Sequence, residues 1–156
     1  MRRSAALAVA AFAVLAVLVA PPAGLASPST PRVATPASAS TTEELRALVE
    51  DARRRFVARD SGGVLAYLAD NYRSGGITKP DVRQHLVTLY SLYEALRASV
   101  RVDRVEVVDG AAWVYTTGEV TGRLPLLGWV TVLSWQGEPE VARRLGDAWR
   151  LVGFQD

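Results

Sequence analysis

The chain has 156 residues, with 18 basic and 16 acidic side chains, one histidine and no cysteine. That length holds one domain with terminal extensions. The lack of cysteine excludes disulfides, thiol nucleophiles, thiolate metal sites and lipid attachment at a lipobox cysteine, and a lone histidine leaves no ligand set for structural zinc; no metal and no cofactor is implied.

At the N-terminus, Arg2 and Arg3 precede an uncharged apolar run, Ala5–Ala20, and "AGLA" supplies small residues before a cut after Ala26. This is the pattern of a secretory signal peptide over residues 1–26. The run is only slightly short of the ~20 residues that span a bilayer, so an uncleaved anchor is the alternative. The expected location is secreted or extracytoplasmic, with a membrane involved only through an uncleaved leader. Loss of Arg2 and Arg3 leaves 16 basic and 16 acidic residues. A neutral mature chain lacks the field that supports nucleic-acid binding, although "ARRRFVAR" (52–59) is a local basic patch. Arginine outnumbers lysine seventeen to one, which with abundant Ala and Val suggests a GC-rich bacterial genome.

Residues 27–40, "SPSTPRVATPASAS", carry no apolar period and are expected to form a disordered tether. The folded domain is expected over residues 41–156. Thr41 and Glu44 make a capping-box pattern, and Leu45, Leu48, Val49, Ala52 and Phe56 follow at helical spacing. "DSGG" (60–63) is expected to end that helix, and "VLAYLAD" to form a short second one. Thr78 is the expected cap of a third helix with Pro80 in its first turn. Its apolar arc gathers Val82, Leu86, Leu89, Tyr90, Leu92, Tyr93 and Leu96, with His85 near the edge.

From Ser99 the period changes to two. "SVRVDRVEVV" slips phase around Asp103, the mark of a bulge, and Asp109-Gly110 is a hairpin turn. "AAWVYTTGEV", "WVTVLSW" and "AWRLVGF" read as further strands, with "EVARRL" continuing the third after "QGEP". The expected fold is α+β: three N-terminal helices packed on a curved antiparallel sheet of about four strands.

In order and spacing, the long first helix, "VLAYLADNYR", "GITKPDVRQHL", the "VVDGAAWV" hairpin and the terminal "GDAWRLVGF" together resemble the nuclear-transport-factor-2-like superfamily. That superfamily includes SnoaL-like and ketosteroid-isomerase-like proteins. The resemblance spans about residues 41–154. It implies a cone with an internal pocket between helices and sheet, and a homodimer through the outer sheet face. It implies no activity, because function resides in the pocket residues. The isomerase branch would need a tyrosine on the first helix, where this chain has Phe56. It would also need a carboxylate after the short helix, where the chain reads "RSGGITKP". A phenyl ring cannot donate to an enolate, and glycine cannot take a proton.

Two functional classes stay open. One is an exported small-molecule-binding or interaction module with an aromatic-lined pocket; the aromatic candidates are Tyr72, Tyr90, Tyr93, Trp113, Tyr115 and Trp129, with His85 as a polar tip. The ligand would be small and apolar or amphipathic. The other is a dehydratase-, cyclase- or isomerase-type enzyme whose base is His85, the only imidazole. Asp81, one turn earlier, or Glu119 would orient it, and Asp70 is a further carboxylate within reach of that segment. Trp113, Tyr115, Thr117 and Glu119 share one face of their strand, and Val114, Thr116 and Val120 share the other. The sequence leaves open which face lines the pocket.

Overall fold

The computed structural model describes residues 33–153, and the expected leader over 1–26 lies outside them. In chain order the elements are β1 (Thr35–Pro36), α1 (Ala39–Val57), α2 (Ser61–Leu65), β2 (Arg73–Ser74), β3 (Ile77–Thr78) and α3 (Lys79–Leu92). Then come β4 (Ala95–Val108), β5 (Ala111–Leu124), β6 (Gly128–Leu145) and β7 (Ala148–Leu151). One antiparallel sheet runs β1-β4-β5-β6-β7, and β2 and β3 form a separate ribbon. The α+β reading holds, but the main sheet has five strands where about four were expected, and α2 is barely more than one turn.

Where local structure departs from the sequence reading, a longer-range partner accounts for it. Order begins before Thr41: Thr35 and Pro36 pair with Val107 and Glu106, and Ser38 caps α1 by accepting from the Thr41 N–H at 3.1 Å. Glu44 therefore closes no capping box; it receives Arg144 and, at 2.8 Å, the Trp149 indole N–H, tying α1 to the sheet. Asp60 starts α2 instead of ending α1, accepting the Gly63 N–H at 2.8 Å. Helix α3 starts as expected at Thr78, whose N–H and hydroxyl both donate to Asp81. It stops at Leu92, where Tyr93 turns extended, so Leu96 belongs to β4.

The sheet follows its pattern. Val102 and Arg104 flank the bulge, and Asp109 and Gly110 both have positive φ, as a two-residue hairpin requires. Leu45, Val49 and Phe56 of α1 and Val82, Leu86 and Leu89 of α3 form one core with Leu96, Val105, Val114, Val120 and Trp135 of the sheet. Both helices therefore cover a single face. Alternation places Ala112, Val114, Thr116, Gly118, Val120 and Gly122 of β5 on that face,.

Two of these glycines are there for space. A Cβ on Gly118 would stand 2.4 Å from both the Ser99 carbonyl and the Trp135 ring, and one on Gly122 would stand 2.3 Å from the Tyr93 ring. Gly118→Ala is expected to lower stability by about 1–3 kcal/mol through overpacking. Urea titration should show a lower midpoint at an unchanged slope.

Candidate functional site

Among the described residues, Glu140 is the one charged residue that is buried. Register pairs Val114 with Glu140, so alternation turns the Glu140 side chain toward the helices, and the residue is 3% exposed. Burial pushes its carboxyl well above the usual carboxylate range, opposed only in part by the neighbouring Val141 amide, because a buried charge loses its hydration. Among the described residues neither carboxyl oxygen has a partner at full hydrogen-bond geometry, the Val141 amide being the polar group that tempers the shift.

Tyr72 lies within range of its charge. The segment after α2 runs alongside β7: Ala69 donates to Leu151, Leu151 to Tyr67, and Arg73 to Val152. This extra edge turns Tyr72 inward, 2% exposed. Gly153 permits the close approach, since a Cβ there would lie 2.2 Å from the Arg73 carbonyl. Burial first, then the Glu140 charge, hold the phenol protonated to high pH, and Ser74 beside it opposes them. Among the described residues its buried hydroxyl oxygen has no partner at full hydrogen-bond geometry, with Ser74 the polar group beside it. Nearby polar groups on the same face are satisfied: the Trp135 indole N–H donates to the Thr116 hydroxyl at 3.0 Å. Tyr72 and Glu140 are thus a buried phenol and a buried acid with unused hydrogen-bonding capacity,.

The carboxylate candidates from the sequence are placed or committed elsewhere. Asp81 is exposed and committed to capping α3, so its carboxyl is held low chiefly by Thr78. The His85 residue is half-buried, and its buried Nδ1 has no hydrogen-bond partner among the described residues. Asp70 is fully exposed and paired with Lys79 at 2.8 Å. Glu119 sits on the uncovered face, so the sheet separates it from α3 and His85, and the three groups Asp81, His85 and Glu119 do not assemble.

Trp113, Tyr115 and Trp129 share that uncovered face. Trp113 packs on a satellite cluster of Ala69, Ala111, Val141 and Val152. Arg104 stacks on Tyr115 at 3.6 Å, and Arg97 on Trp129 at 3.8 Å. The face that lines the interior is the Val114, Thr116, Val120 face. Tyr90 donates to the Phe56 carbonyl at 3.0 Å, and burial raises its hydroxyl to about 12; it joins α3 to α1. Tyr93 fills the space over Gly122. Of the aromatic candidates, Tyr72 alone brings an unpartnered polar atom to the interior.

The sequence reading makes Glu140 the first residue of the strand "EVARRL" after the break "QGEP", with no assignment of the face it points to. Alternation counted back from Ala142 would have found it. Two open surface clefts of about 420 Å³ and 410 Å³, lined around Arg46–Arg101 and Ser61–Arg83, reach neither Tyr72 nor Glu140. Among the described residues, no three His, Cys, Asp or Glu side chains gather to hold a metal ion. No helix among them is long and apolar enough to cross a membrane.

No protein-family model and no curated protein sequence matches the chain. Solved structures do. Bd1075 of Bdellovibrio bacteriovorus matches with a TM-score of 0.58 at 15% identity, over 75% of this chain and 42% of that one. A protein assigned as a scytalone dehydratase from Novosphingobium aromaticivorans matches with a TM-score of 0.60 at 7% identity, over 73% and 80%. A protein assigned as a dehydratase of the nuclear-transport-factor-2-like family from Streptomyces avermitilis matches with a TM-score of 0.57 at 14% identity, over 73% and 93%. The chain spans less than half of the Bdellovibrio protein and most of the other two. At these identities the likeness is one of architecture: the chain has the nuclear-transport-factor-2-like fold.

Proposed function

We propose that the protein binds a small, mainly apolar molecule between its helices and sheet, gripping one oxygen of that molecule with Tyr72 and Glu140. The observation that carries this reading is the unused hydrogen-bonding capacity of two buried groups close enough for the charge of one to act on the other. A buried polar atom without a partner costs about 1–3 kcal/mol, and a ligand oxygen would remove that cost. With Glu140 protonated, carboxyl and phenol are both donors, which suits a carbonyl or phenolate oxygen. The surrounding Val, Leu and Trp side chains suit an apolar body.

A dehydratase-type enzyme is the second reading. It is favoured by the same raised carboxyl, because an acid held protonated can deliver its proton to a leaving oxygen. Two of the structural neighbours are assigned as dehydratases. In this reading His85, with its buried Nδ1, is the base to test. The leader-like N-terminus supports export, and the uncovered sheet face, where Arg104 stacks on Tyr115, supports a homodimer.

The test is binding of a panel of cyclic ketones and phenols, followed through tryptophan fluorescence. Tyr72→Phe and Glu140→Gln should each weaken the best binder about tenfold, near 1.4 kcal/mol, while Tyr72→Phe leaves stability within about 1 kcal/mol. No binding by the wild type, or binding unaffected by both substitutions, would refute the reading. Turnover of a β-hydroxy ketone that His85→Ala abolishes would select the enzyme.

A further inference from the structure

The hairpin joining β5 to β6 reads "RLPLLGW" and presents its apolar side chains outward. Leu126 is fully exposed, Leu127 is 74% exposed and Trp129 39%. Leu126 also sits at φ 69°, a left-handed conformation that a leucine adopts at a cost and that turns normally give to Gly or Asn. The tip is short and fixed: Leu124 pairs with Gly128 and Arg123 with Trp129, and Leu127 donates to the Pro125 carbonyl at 2.8 Å. Leu92, 55% exposed, ends α3 at the same end of the molecule, because Glu94 two residues later donates to the Arg123 carbonyl.

A ring of cations surrounds this apolar end. Arg97 stacks on Trp129 at 3.8 Å. Arg123 is paired with Glu94 at 3.1 Å with both side chains about half exposed. Arg59 donates to the Tyr90 and Tyr93 carbonyls at the end of α3. Arg59, Arg97 and Arg123 therefore lie around three protruding leucines and a tryptophan, with Glu94 on Arg123 and Asp60 next to Arg59.

We infer that this tip is a membrane-docking element that inserts Leu126 and Leu127 into the interface of an anionic bilayer. The shape is a convex wedge. The tryptophan is the side chain that settles at the headgroup level, and each arginine near an anionic surface adds about 1 kcal/mol. The inference is independent of the interior site, since the tip shares no residue with Tyr72 or Glu140.

The test uses full-length chains, so that the common N-terminus contributes equally. Sedimentation is measured with phosphatidylcholine vesicles containing or lacking phosphatidylglycerol. Leu126→Asp/Leu127→Asp should weaken binding to the anionic vesicles roughly tenfold or more with an unchanged melting temperature. Arg97→Ala/Arg123→Ala should reduce binding to the anionic vesicles only. Brominated lipid should quench a fluorescence component that Trp129→Phe removes. Equal binding by the aspartate variant, or quenching that Trp129→Phe leaves intact, would overturn the inference. So would a vesicle-free dimer that the aspartate variant disrupts, because the tip would then be an interface between copies.

Discussion

Trp135→Ala should destabilise the protein by about 3–5 kcal/mol, a large fraction of the roughly 5–15 kcal/mol that holds a domain of this size folded. Trp135 is 6% exposed and lies over Gly118, whose missing Cβ makes room for it. Its indole N–H is the partner of the Thr116 hydroxyl, itself 2% exposed. Truncation opens a cavity against a glycine that cannot fill it, and also strands a buried hydroxyl. Trp135→Phe isolates the second effect: it keeps most of the volume and removes only the donor, so its loss should be well below that of alanine. Urea denaturation of both variants measures the difference. A loss under about 1 kcal/mol for alanine would mean that the sheet and helices do not meet at Trp135.

Glu140→Gln should change how stability depends on pH. A carboxyl whose folded pKa is raised holds its proton more tightly in the folded state. Its stabilising contribution is complete below the unfolded value of about 4.3 and disappears as pH rises through the folded pKa. The wild type should therefore lose stability as pH climbs above about 5. The amide cannot ionise, so the variant's curve should stay flat there and cross above the wild type. The gap at alkaline pH can reach several kcal/mol, the scale of an uncompensated buried charge.

Other groups do not imitate this trend. Asp51, Asp60 and Asp81 are held low, first by Arg55, the Gly63 amide and Thr78 respectively. Contributions of that sign are present above about 3.9 and lost as pH falls. Tyr90, raised to about 12, enters only at higher pH. Thermal melts between pH 5 and 9 read Glu140 in the window these groups leave clear. Parallel curves for the two proteins would mean that Glu140 is solvated.

The contrast between Thr78 and Glu140 shows what the sequence could express. Thr78, Pro80 and Asp81 specify a helix start within four residues, and Asp109-Gly110 specifies a turn within two; such local chemistry reads directly. The phase slip at Asp103 was legible for the same reason. Ser38 displaced Thr41 as the cap because β1, a two-residue pairing with the far end of β4, fixes the chain before α1. That pairing has no local signature. Glu44 reads as a capping residue until Arg144 and Trp149, about a hundred positions later, claim it.

The site depended on the same long-range ordering. Tyr72 stood out as an aromatic, but its burial comes from the edge that residues 67–73 make beside Leu151 and Val152. Glu140 faces inward because it pairs with Val114 and alternates with Ala142, a register that the pairing of β5 with β6 supplies,. The segment that precedes it contains Pro139 and Gly137, which locally argue for a loop. His85 was conspicuous by being unique, and uniqueness carried no information about its surroundings.

The central claim is that the interior holds a protonated carboxyl beside a phenol, ready to receive a ligand oxygen. Carbon-13 NMR titration of labelled glutamate carboxyls, with Glu140→Gln supplying the assignment, tests it directly. The account predicts one carboxyl that titrates well above the ordinary value of about 4.3 and whose resonance moves when the best ketone or phenol of the panel binds. A Glu140 carboxyl that titrates with the exposed glutamates and ignores the ligand would contradict it.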